Sequence, residues 1–362
     1  MGSVFGNIIR VSLFGQSHGD AVGAVIDGLP AGDAIDLEKL QRFLRRRAPG
    51  GSPLTTARRE EDQILVLSGV SNGMLCGAPF AAIIKNHDIR SDDYLSKRAT
   101  PRPGHADYPA GIKYRGANDF SGGGHFSARL TAALCIAGGL CLQLLQKEGI
   151  RIAAHILSIG DVGDAAFDPM APQIDRLLFD PLCVLDKQSG LKMATAIQSV
   201  REEGDSLGGV IECAAVGLPV GLGEPMFSGL ENRIAAAIFA IPAVKGIMFG
   251  NGFEAASLRG SENNDPFRFE GDRVVTQSNR NGGILGGLST GMPLLFRTAF
   301  KPTPSIVLPQ NSVDLETGSN TTLHIRGRHD PCIVPRAVPV VEAAAALALY
   351  DAYLDFRKEA NV

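Results

Sequence analysis

Apolar and polar residues alternate over residues 7–14, where Ile9, Val11 and Leu13 fall on one face. A period of two puts such residues on the buried side of a strand. A second apolar run covers 21–26 and closes in the turn pair Asp27-Gly28. The period then changes. Over 37–47, Leu37, Leu40 and Leu44 recur at helical spacing behind Asp36, a residue type that caps helix N-termini. The stretch Pro49-Gly50-Gly51-Ser52-Pro53 ends that helix in a loop. Strands are predicted over 64–70 and 80–85.

A long helix is predicted over 127–149. Leu130, Leu134, Ala137, Cys141 and Leu144 form its stripe, but its other faces are apolar too, as in a helix buried all round. Gly138-Gly139 inside it lowers helix propensity by roughly 1 kcal/mol each. Close packing against a neighbouring backbone is the expected compensation. Further on, Ser228-Gly229-Leu230-Glu231 reads as a capping box for a helix that stops at Pro242. Strands are predicted over 207–216 and 292–299, and an alanine-rich helix over 340–357. Strands and helices come in blocks, without linker or repeat. That pattern predicts one α+β unit spanning residues 1–362.

Composition narrows the function. The chain is 44% hydrophobic with a net charge of -3, which supplies a core and argues against a nucleic-acid partner. Its 43 glycines exceed the usual share of about 7% and follow no three-residue period. They cluster in loops beside polar residues. The six cysteines show neither C-x-x-C nor zinc spacing, so no metal site and a reduced, cytoplasmic setting are expected. No signal peptide is expected, and the apolar run 132–145 is too short and glycine-rich for a membrane span.

Four clusters couple glycine to proton carriers or cations: Gly15-Gln16-Ser17-His18-Gly19, Arg102-Pro103-Gly104-His105-Ala106-Asp107, Gly122-Gly123-Gly124-His125-Phe126-Ser127-Ala128-Arg129, and Gly327-Arg328-His329-Asp330-Pro331-Cys332. Glycine lets backbone approach a ligand, and His, Asp and Arg supply proton transfer and anion contacts. One site for a phosphorylated, acidic small molecule is expected. His18 and His105 are candidate proton carriers, and the alternative for each is a loop histidine bonded for structure. The triple glycine is expected to open a helix whose N-terminus suits phosphate or a flavin's polar edge; the alternative is a tight entry into a buried helix. Arg45-Arg46-Arg47 and Arg58-Arg59 are either helix-end cations or a basic loop that closes on an anion. His87, His155 and His324 lack such context and read as structural.

Taken together, these clusters resemble the chorismate synthase family, as do Ala243-Val244-Lys245-Gly246, the glycine-rich 282–287, Lys301-Pro302-Thr303-Pro304-Ser305 and Pro335-Arg336-Ala337-Val338-Pro339. The resemblance covers essentially the whole chain. It implies a single-domain β-α-β sandwich, with helices between two mainly antiparallel sheets. It also implies an anti 1,4-elimination of phosphate from 5-enolpyruvylshikimate 3-phosphate, giving chorismate, with reduced FMN required and no net redox change. By resemblance, His18 protonates the departing phosphate and His105 acts at the reduced flavin. Ser17 and Ser127 match proton-relay serines, and Asp330 the acid that accepts the proton. Arg46, Arg47, Arg129 and Arg336 match substrate-anion contacts. FMN contacts fall on Arg46, His125, Phe126, Ser127, Pro242, Ala243, Gly286, Lys301, Pro302, Thr303, Pro304, Ser305 and Arg328.

The family pattern is not met everywhere. Gln16 stands where Glu is usual, and His125-Phe126 where Arg-Ser is common. The resemblance further implies a homotetramer and a separate flavin reductase, with NADPH only as an indirect reductant. Two other readings stay open. A flavin oxidoreductase acting on another anion would consume reductant in proportion to product. An RNA-binding role for the arginines runs against the acidic net charge and the lack of interleaved aromatics.

Overall fold

Ile9 and Val11 are buried, and the strand Arg10–Gly15 pairs antiparallel with Ala21–Asp27. The alternation along the first strand therefore sets which face meets the core. The computed structural model describes residues 2–50, 54–56, 60–87, 99–179, 182–325 and 330–359. Arg58, Arg59, Gly327, Arg328 and His329 lie outside the described residues, as does the Ser52-Pro53 pair.

The first five-stranded sheet has the order Val4–Phe5, Arg10–Gly15, Ala21–Asp27, Phe80–Lys85, Ile64–Ser68. The second has the order Val244–Phe249, Leu294–Phe300, Gly209–Val216, Arg151–Ile159, Val162–Gly163. Neighbouring strands are antiparallel throughout both. The helices are α1 (Leu37–Arg47), α2 (Asp107–Lys113), α3 (Thr131–Lys147), α4 (Lys187–Glu202), α5 (Leu230–Phe239), α6 (Gly260–Asn263) and α7 (Val334–Glu359). α3 packs on the first sheet, α7 on the second, and the two helices pack on each other. The chain is thus an α+β sandwich, with one continuous core running from sheet to sheet through the helices.

Close helix packing explains the paired glycines. A methyl carbon built on Gly138 would lie 2.3 Å from Cα of Ala343 in α7. One built on Gly139 would lie 2.5 Å from Cδ1 of Leu40 in α1. The regions around α3 and α7 are long and apolar enough to span a bilayer, yet 89% of each such window is buried inside the protein. These are core helices. Cys135, Cys141, Cys183, Cys213 and Cys332 are free and buried; burial pushes the thiols of Cys135, Cys183 and Cys332 up to about 12.

α1 has the predicted bounds, and the Asp36 side chain accepts from the Lys39 N–H at 2.8 Å. The capping box at Ser228 does not form. Gly229 caps α5 without a side-chain bond, Ser228 ends a 3-10 turn, and its carbonyl accepts from Arg233 Nε at 2.9 Å. α7 starts earlier than predicted, at Val334. Pro335 sits in its first turn, where a missing N–H costs nothing.

Candidate active site

Residues of the first three clusters, with Asp330 of the fourth among the described residues, line a cavity of about 670 Å³. The strand Arg10–Gly15 ends in the turn that carries His18. The Ser17 backbone N–H donates to the Gly124 carbonyl at 3.1 Å, which ties this turn to the triple glycine. Ser17 Oγ donates to the Ser121 carbonyl at 3.1 Å. A hydroxyl has one proton, so its 3.1 Å contact with His18 Nδ1 is a bond donated by the ring. The His18 proton therefore resides on Nδ1.

The triple glycine does not lead straight into a helix. It lies in a 3-10 segment, Ser121–Phe126, with positive φ at all three positions, and α3 begins only at Thr131 after a second short turn. The expected row of helix N-terminal donors is absent at the glycines. They act as spacers. A methyl carbon on Gly123 would lie 3.0 Å from His105 Nε2, and one on Gly122 would collide with the His18 ring. Ser127 caps the next turn, its Oγ accepting from the Arg129 N–H at 3.2 Å. His125 donates from Nδ1 to the Gly15 carbonyl at 2.9 Å, which leaves Nε2 to accept from Ser3 Oγ at 2.7 Å.

His105 lines the same cavity, against Gly123. Its Nδ1 is 2.6 Å from Asp107 Oδ1, and Arg102 grips the same carboxylate through Nε and Nη2, both at 2.7 Å. Burial alone would raise the Asp107 pKa, but the Arg102 and His105 hydrogen bonds outweigh it and hold the carboxyl well below its usual range.

The floor is an arginine–carboxylate network. Asp62, buried and held at a positive φ, accepts from Arg47 Nη1 at 2.6 Å and from Arg129 Nη1. Arg47 also donates to Thr131 Oγ1 and the Ala128 carbonyl, and Arg129 to Asn86 Oδ1 and the Lys85 carbonyl. Glu60 lies 2.7 Å from Arg129 Nη2. Burial opposes ionisation of Asp62, but the two arginines hold its pKa below normal. Arg47 and Arg129 thus line the cavity, yet in this conformation every guanidinium nitrogen already donates. Beside them, Asp330 accepts from the Thr56 N–H at 2.8 Å and from Arg336 Nη1 at 2.6 Å.

Arg46 lies elsewhere. It forks onto Glu342 at 2.6 and 2.9 Å and does not line the cavity. Gly286 also lies off the cavity, in the hairpin joining Ile284–Leu285 to Leu288–Ser289, and Pro302 is exposed outside it. The remaining wall holds His125, Phe126, Ser127, Pro242, Ala243, Lys301, Thr303, Pro304 and Ser305. Ala243 has a φ of +74, and its carbonyl accepts from the Lys301 N–H at 3.0 Å. Lys301 Nζ donates to the Gly104 carbonyl. Burial, and then the charge of Lys245, lower the Lys301 pKa. Two lysines thus face one region of the cavity.

Known proteins match this chain in sequence and in fold. The chorismate synthase family model covers residues 9–354. The chain belongs to the chorismate synthase family. Chorismate synthase from Korarchaeum cryptofilum is 48% identical over 350 residues, covering 97% of each chain. That from Thermococcus kodakarensis is 49% identical over 348 residues, covering 96% of each. A solved chorismate synthase structure superposes with a TM-score of 0.78 at 30% identity, over 97% of this chain and 93% of that one. The protein is therefore an enzyme.

Lys245, Arg102, Asp107, Thr56, Asn86, Glu60 and Asp62 all line or brace the cavity. Only Lys245, Arg102 and Asp107 stood in recognisable motifs. A second cavity, of about 400 Å³, lies beside Glu212 and Arg297 in the second sheet and has no histidine in its walls. His155 is buried nearby between Asp164 and Glu212. Among the described residues, no group of three or more potential ligands could hold a metal ion.

Proposed function

We propose that this cavity is where 5-enolpyruvylshikimate 3-phosphate loses phosphate by anti 1,4-elimination to give chorismate, with reduced FMN bound beside it. The lyase reaction breaks a C–O and a C–H bond in one ring, so it needs a proton delivered to the leaving phosphate and another taken from carbon. The observation that carries the reading is the convergence of His18, His105, Asp330, Lys245 and Lys301 on one cavity.

The residues present fit a flavin phosphate. Lys245 and Lys301 supply positive charge, and Thr303 Oγ1 is buried with no hydrogen-bond partner among the described residues. Such an orphaned hydroxyl suits an anion oxygen. Lys301, Thr303 and Ser305 would hold that end, with Pro242 and Ala243 alongside. Reduced FMN, when bound, supplies electron density as the C–O bond breaks and recovers it as the proton leaves, so no net oxidation follows.

The chain's own groups divide the rest. His18, whose Nδ1 is bonded to Ser17 and whose ring packs on Gly122, would give a proton to the leaving phosphate from Nε2 when both ring nitrogens are protonated. Asp330 presents a carboxylate oriented by Thr56 and Arg336, suited to take the ring proton. Arg336 and the Arg47–Arg129 network surround the substrate's carboxylates with cations. The reading carries with it a cytoplasmic homotetramer served by a separate, NADPH-drawing flavin reductase. Its test is anaerobic mixing of enzyme, photoreduced FMN and the enolpyruvyl substrate. Phosphate should be released; substrate left intact would contradict it.

A further inference from the structure

We infer that Asp107 is a positioning residue, which with Arg102 fixes the His105 ring so that Nδ1 holds a proton and Nε2 is presented to the cavity. The inference rests on the proposed function only for the consequence in turnover. It stands structurally on four contacts. Nδ1 of His105 is 2.6 Å from Asp107 Oδ1. Arg102 Nη2 is 2.7 Å from that same oxygen and 3.1 Å from Nδ1. The Arg102 backbone N–H donates to the other carboxylate oxygen at 3.1 Å.

These distances decide the tautomer. A bare ring nitrogen and a carboxylate oxygen both offer lone pairs and would repel at 2.6 Å, so the ring must donate. The short Arg102–Nδ1 distance then follows from two donors sharing one acceptor, not from a bond between them. The ring is closed in on its other edge by Gly123, where a methyl carbon would lie 3.0 Å from Nε2. Asp107 and Arg102 are both buried, so neither side chain swings away freely. Lys301 holds the same loop through the Gly104 carbonyl. The three-residue unit therefore sets both the plane and the protonation pattern of His105.

The test uses full-length protein with ¹⁵N-labelled histidine, its His105 signal assigned by loss in His105→Gln. Solid-state NMR of the ligand-free wild type should show His105 protonated at Nδ1. In Asp107→Asn, whose amide offers a donor to the ring, the Nδ1 proton should be lost in favour of Nε2. Turnover with reduced FMN and the enolpyruvyl substrate should fall roughly 10²-fold in kcat, the scale of a misplaced catalytic group, with little change in KM. Asp107→Glu should recover part of it. An unchanged tautomer in Asp107→Asn overturns the inference whatever the activity. An altered tautomer with full kcat shows that the positioning is not used, and also overturns it. Absence of phosphate release by wild type would instead count against the proposed reaction.

Discussion

Gly122 leaves room for the His18 ring and for Ser17 Oγ, and none for a side chain of its own. A methyl carbon built on it would lie 1.9 Å from Cε1 and 2.1 Å from Nδ1 of the ring, and its φ is +62. The glycine is needed twice, for the space and for the left-handed backbone. Gly122→Ala should therefore displace His18. A stability loss of about 1–2 kcal/mol is expected from the backbone alone, with a roughly 10²-fold fall in kcat. A thermal melt beside steady-state rates checks both. Full activity in a folded variant would show that the ring position does not matter.

Arg46 is expected to be structural. Glu342 is buried and takes both Arg46 nitrogens as well as the Ala154 N–H at 3.1 Å. Arg46→Ala should lower stability by about 1.5–3 kcal/mol, the range for hydrogen bonds to a charged group, and leave kcat/KM nearly unchanged. A large rise in KM without a change in melting temperature would return Arg46 to the substrate.

Asp62 joins Arg47 to Arg129, so removing its charge leaves two buried cations with one fewer partner. Asp62→Asn should cost about 3–5 kcal/mol at neutral pH. The sign of the pH dependence follows from its lowered pKa. The contribution is complete above the unfolded carboxylate value of about 3.9 and is lost as the pH falls toward the depressed folded value. Denaturant midpoints measured down the acid limb should thus converge for wild type and variant. Parallel curves would contradict the assignment.

Lys301 should lose its charge at a lower pH than an ordinary lysine, because burial and Lys245 both disfavour the cation. Affinity for FMN, in the presence of substrate, should then weaken as pH rises toward the usual lysine value of about 10.4. Lys301→Arg keeps its charge there, so its affinity should hold across that range. Calorimetric titrations at several pH values decide it, and identical profiles for the two proteins would remove Lys301 from the anion site.

What the sequence disclosed depended on range. The Asp36 cap and the Leu40 and Leu44 stripe are local, and α1 formed where they indicated. Gly138-Gly139 disclosed a close contact, though not that Ala343 would make it. Local reading misled at Ser228 and at the triple glycine. At the glycines, Gly122 and Gly123 make room for two histidines from other loops and Gly124 for the Asp119 carbonyl, and all three have positive φ, so the α-helix starts later. The bracing of Arg129 by Asn86, Asp62 and Glu60 joins residues distant in sequence, and nothing in their own neighbourhoods marks them. The sequence shows the charges of Arg47 and Arg129 but not the carboxylates and carbonyls that hold them at the cavity.

The central claim is an elimination that needs reduced flavin without spending it. Under strict exclusion of oxygen, with FMN photoreduced and no other reductant present, phosphate release and the flavin absorbance can be followed together over many turnovers. Phosphate should reach many equivalents per flavin while the flavin ends as reduced as it began. Asp330→Asn should lower that rate by about 10²–10⁴-fold, the range for a positioned acid–base group, with flavin still bound in the presence of substrate. Oxidation of one flavin for each phosphate released would contradict the account and favour an oxidoreductase.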